Sequence, residues 1–68
     1  MKAQEATRKC ISIAGNVTSL ANEFGVHETT IYRWEQGKVQ PGQAAVKKIA
    51  HYLLFKGNIK VDLYDLMG

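Results

Sequence analysis

The chain has a single cysteine, Cys10, and a single proline, Pro41, in 68 residues. A lone thiol cannot close an internal disulfide, so the small core has no covalent staple and a reducing, cytoplasmic setting is expected. His27 and His51 lie far apart and far from the thiol, so no metal-ligand spacing exists and neither metal nor other cofactor is expected. The longest apolar run, Tyr52-Leu53-Leu54-Phe55, is far short of the roughly 20 residues that span a bilayer. Lys2 is not followed by an apolar stretch, which argues against a secretion signal. Acid/base pairs, nucleophile–base spacings and glycine-rich phosphate loops are also missing, which sets catalysis aside in favour of binding.

What is present has a globular balance, with 46% hydrophobic and 22% charged residues. The length bounds the chain to one domain over residues 1–68, with a thin stability margin. Nine basic against six acidic side chains leave a net charge of +3, and that charge is unevenly spread. Residues 1–15 sum to +2 and residues 16–35 to −2. Lys38, Lys47, Lys48, Lys56 and Lys60 then occur without an acid, before Asp62 and Asp65 close the chain. The positive field therefore sits on two flanks and permits a polyanionic partner.

Periodicity gives an all-α reading, a bundle of four to five short helices. Ala3, Ala6, Cys10 and Ile13 mark an amphipathic helix over about 2–14, ended by Gly15. Asn16 is placed to cap a second helix, Val17–Phe24, with Val17, Leu20, Ala21 and Phe24 inward. The third begins near His27 or Glu28 and runs to Gln36, with Ile31 and Trp34 on one face and Thr29, Tyr32, Arg33 and Gln36 on the other. A fourth follows Pro41 with the stripe Val46, Ile49, Ala50, Leu53, leaving Lys47, Lys48 and His51 outside; Gly57 marks its end. The tail reads two ways. Ile59, Val61 and Leu63 alternate as in a strand, whereas Asp62 and Asp65 fit the opening of a short helix, Leu63–Met67, which is preferred.

Two short helices joined by the tight turn around Gly25 form the pattern of a helix-turn-helix. The run Leu20-Ala21-x-x-x-Gly25-Val26-x-x-x-x-Ile31-x-x-Trp34-Glu35-x-Gly37-Lys38-x-x-Pro41, followed by Ile49-Ala50, resembles the Cro/repressor helix-turn-helix family of phage and bacterial regulators. The resemblance covers residues 16–54, and the short chain is most similar to a Cro-type protein. Three positions depart from the family pattern. Val17 stands where a phosphate-anchoring glutamine is common, which leaves that task to Asn16 or Thr18. His27 replaces the usual Ser/Thr cap. Cys10 occupies the place of an arginine that pairs with the glutamate of the third helix, which leaves Glu35 to Arg8 or Lys9.

The resemblance implies that Glu28, Thr29, Tyr32 and Arg33 read base edges. Arg33 is the strongest of these, since a guanidinium can bond O6 and N7 of guanine together. Glu28 can accept from cytosine N4, or serve only as an acid favoured at a helix N-terminus. Phosphate contacts are expected from Asn16, Thr18, His27, Thr30, Lys38, Gln40 and Gln43, near helix N-termini. Lys47, Lys48 and Lys56 are read as a solvated face, Trp34 as core, and Cys10 as a small buried apolar residue. The implied function is a repressor that binds double-stranded, pseudo-palindromic operator DNA as a homodimer. Phe55, Ile59, Val61, Leu63 and Tyr64 are the candidate dimer interface, by strand pairing or by helix packing. The alternative is an antitoxin or anti-repressor module that uses the same fold mainly to bind a protein.

Overall fold

A computed structural model describes residues 1–67. They form five helices and, among the described residues, no strand: α1 (Ala3–Ala14), α2 (Val17–Phe24), α3 (Glu28–Glu35), α4 (Gln43–Gly57) and α5 (Leu63–Met67). The residues that α1 buries are Ala3, Ala6, Thr7 and Cys10. All four are small, so neighbouring helices can approach closely, and α1 packs against each of the other four. Thr7 is tolerated in this apolar setting because its hydroxyl donates to the Ala3 carbonyl at 2.8 Å. Cys10 is fully buried, and burial pushes its thiol up to about 12. It therefore stays protonated and packs as a small hydrophobe.

The termini of α2 and α3 are closed by local chemistry. Asn16 Oδ1 accepts from the Ser19 N–H at 2.8 Å, satisfying one of the free donors at the start of α2. At its other end Gly25 has φ 70°, and the Val26 and Gly25 N–H groups donate to Ala21 and Asn22 carbonyls at 3.0 and 3.3 Å. This is a Schellman closure, and α3 ends in another: Gly37 has φ 74°, while Lys38 and Gly37 N–H groups reach Arg33 and Trp34 carbonyls at 2.9 and 3.1 Å. A Cβ at either glycine would meet the steric cost of left-handed backbone, roughly 1–2 kcal/mol.

Leu20 and Phe24 of α2, Ile31 and Trp34 of α3, Val46, Ile49 and Leu53 of α4 and Leu66 of α5 meet around α1 in one core. Phe24 meets Tyr52 edge-on, with ring centroids 5.6 Å apart. Gly57 is the last residue of the fourth helix, and the left-handed residue that follows it is Asn58 at φ 53°. The strand alternative for residues 59–64 is not adopted. Ile59 and Val61 are instead half buried against the core, Asp62 Oδ1 accepts from the Tyr64 N–H at 2.9 Å, and Leu66 is buried. A cap plus one buried anchor thus outweighs a three-residue alternation.

Candidate nucleic-acid interface

Burial of Ile31 and Trp34 fixes the rotation of α3 and leaves Glu28, Thr29, Tyr32, Arg33 and Gln36 exposed on its other face. An α-helix with its side chains is about 10–12 Å across, which the roughly 12 Å width of the B-DNA major groove admits. The four candidate base readers therefore share one free surface. Arg33 makes no ion pair and no side-chain hydrogen bond among the described residues. Its guanidinium keeps all its donors available. The acid nearest in sequence, Glu35, is taken by Arg8, whose Nε lies 3.1 Å from Glu35 Oε2. That settles the choice between Arg8 and Lys9 and ties α1 to the end of α3.

The candidate phosphate contacts differ in exposure and engagement. Asn16, His27, Lys38, Gln40 and Gln43 are exposed, and Thr30 is half buried. Asn16 spends its carbonyl oxygen on the cap and keeps its amide N–H donors. His27 occupies the N-cap position of α3 without a side-chain cap bond, so its ring is not held by the helix it precedes. Lys38 follows Gly37, and its backbone is fixed by the closure described above. Thr18 stands apart from this group, because its hydroxyl donates to Glu28 Oε1 at 3.1 Å. That bond joins a candidate phosphate contact to a candidate base reader.

One basic residue departs from the solvated-face reading. Lys48 Nζ donates to the Phe24 carbonyl at 2.9 Å, at the C-terminus of α2. There the ammonium satisfies a terminal carbonyl and meets the negative end of the helix dipole. The partners are 24 residues apart, and no local pattern announces such a contact. The C-terminal candidates divide into two groups. Phe55 and Tyr64 are 78% and 85% exposed and Leu63 is also exposed, whereas Ile59 and Val61 partly pack on their own core. Met67, which the helix reading of the tail set against the core or a partner together with Leu63 and Leu66, is exposed, while Leu66 is buried; Leu54, which sequence reasoning missed, is exposed as well. The exposure of Leu54 was hidden because the stripe on α4 ends at Leu53 and the next residue faces out.

Among the described residues no cluster of His, Cys, Asp or Glu could hold a metal ion. No helix among the described residues is long and apolar enough to cross a membrane. A family model described as helix-turn-helix matches residues 15–54, which contain α2, the Gly25 turn, α3 and most of α4. Comparison with curated proteins and with solved structures gave no match.

Proposed function

The chain belongs to the helix-turn-helix family of DNA-binding regulators, which is not an enzyme family, and from that premise we propose that it is a Cro-type repressor. It binds pseudo-palindromic operator DNA as a homodimer and acts by occupying the site. The observation that carries this reading is the free polar face of α3, with Arg33 unpaired between two closed turns. In this reading α3 enters the major groove and Glu28, Thr29, Tyr32 and Arg33 face base edges. Asn16, His27, Thr30, Lys38, Gln40 and Gln43 hold the flanking phosphates.

A single short helix reads only a few base pairs, so useful specificity calls for two half-sites about one helical turn apart. Phe55, Leu63 and Tyr64 are exposed apolar side chains assigned here to contact with the second copy, and Leu54 and Met67 are exposed as well. Sedimentation of the chain with an operator duplex should give two chains per duplex. Replacing Phe55 and Tyr64 together by glutamate should leave the melting profile intact, since both are exposed, and weaken operator binding by about a hundredfold or more. A one-to-one complex with full affinity, or a double variant that binds as tightly as the parent, contradicts the dimer. A monomer that binds DNA weakly supports the protein-binding alternative.

A further inference from the structure

A hydroxyl carries one proton, and Thr18 gives its proton to Glu28 Oε1. While that bond stands, the Thr18 side chain has no proton left for a phosphate oxygen. Thr18 lies in the first turn of α2, and Glu28 is the first residue of α3. The bond therefore spans the helix-turn-helix at the end where both N-termini emerge. Both side chains are exposed, so the bond restrains a carboxylate that solvent would otherwise let swing. Glu28 Oε2 remains without a partner among the described residues and can only accept.

We propose that Thr18 is a positioning residue that holds Glu28 as a base-reading carboxylate, selecting a cytosine at one position of each half-site. This rests on the functional reading above. The chemistry ranks the bases. Guanine shows N7 and O6 to the major groove and thymine shows O4, so both meet a carboxylate acceptor to acceptor. Adenine offers its N6 amino group beside the N7 acceptor, which repels the second carboxylate oxygen. Cytosine offers the N4 amino group with no adjacent acceptor on its own edge. Phosphates are repelled from the same carboxylate, so Glu28 adds selectivity at the expense of general affinity.

The test is competition binding on operator duplexes that differ only at the contacted base pair. The parent should prefer cytosine to guanine or thymine by about tenfold or more. Glu28→Gln should move the preference to adenine, because an amide accepts from N6 and donates to N7 at once. Thr18→Val keeps the shape but not the hydroxyl and should flatten the cytosine preference severalfold, while Thr18→Ser should restore it. Melting curves check that all variants fold. A Glu28→Gln profile identical to the parent's overturns the assignment. So does a Thr18→Val variant that weakens every duplex equally and lowers the salt dependence, since that marks a phosphate contact. If the folded parent binds no duplex at all, the functional reading itself fails; binding with an unchanged base profile sinks the Thr18–Glu28 assignment alone.

Discussion

Leu53→Ala should unfold much of the population at ordinary temperatures. Leu53 is fully buried where α4 meets the core, and its carbonyl also accepts the Ile59 N–H at 2.9 Å that directs the chain into α5. Truncating a buried leucine removes its transfer energy and leaves a cavity, at a cost of about 2–5 kcal/mol. A domain of this size has only about 3–10 kcal/mol in total, and no disulfide supplements it. The neighbouring Leu54 is 43% exposed, so Leu54→Ala should cost under about 1 kcal/mol. Urea unfolding of the two variants checks the pair. Equal losses would mean that α4 is rotated from the orientation described.

Arg33→Ala and Lys38→Ala should both weaken operator binding, but in distinguishable ways. Arg33 sits on the exposed face of α3 with its donors unengaged. Its loss should remove the preference for one guanine per half-site, about 1–3 kcal/mol of discrimination each, and so act twice in a dimer. Binding to unrelated DNA should change less. Lys38 projects from the turn after α3, where the field of the chain is positive. Its loss should weaken every sequence alike and reduce the slope of log affinity against log salt by about 0.9 per contact. Anisotropy titrations on operator and scrambled duplexes at two salt concentrations separate the effects. If both variants lose affinity uniformly, Arg33 is a phosphate contact and does not read sequence.

All five helices were legible in the sequence, α1 and α4 by the spacing of their apolar residues and others also by chemistry at their ends. Asn16 and Gly25 bound α2, Asp62 opens α5, and Gly37 closes the turn after α3. Periodicity alone placed Ile31 and Trp34 inward and so identified the free face of α3. What remained hidden depends on the chain folding back on itself. Thr7 reads as polar until its hydroxyl is seen to bond its own helix. Lys48 reads as solvated until α4 passes the end of α2. Ile59 and Val61 mimic a strand because alternation over a few residues cannot register that a neighbouring core will take them. The Thr18–Glu28 bond belongs to the same class: two positions expected to meet DNA separately meet each other first.

Selection of bound duplexes from a random DNA pool by the intact chain tests the central claim most directly. The account predicts a pseudo-palindrome whose half-sites lie about one helical turn apart, each with a guanine that disappears from the selected sequences under Arg33→Ala. A pool that stays random, or a selected motif that Arg33→Ala leaves unchanged, would contradict it.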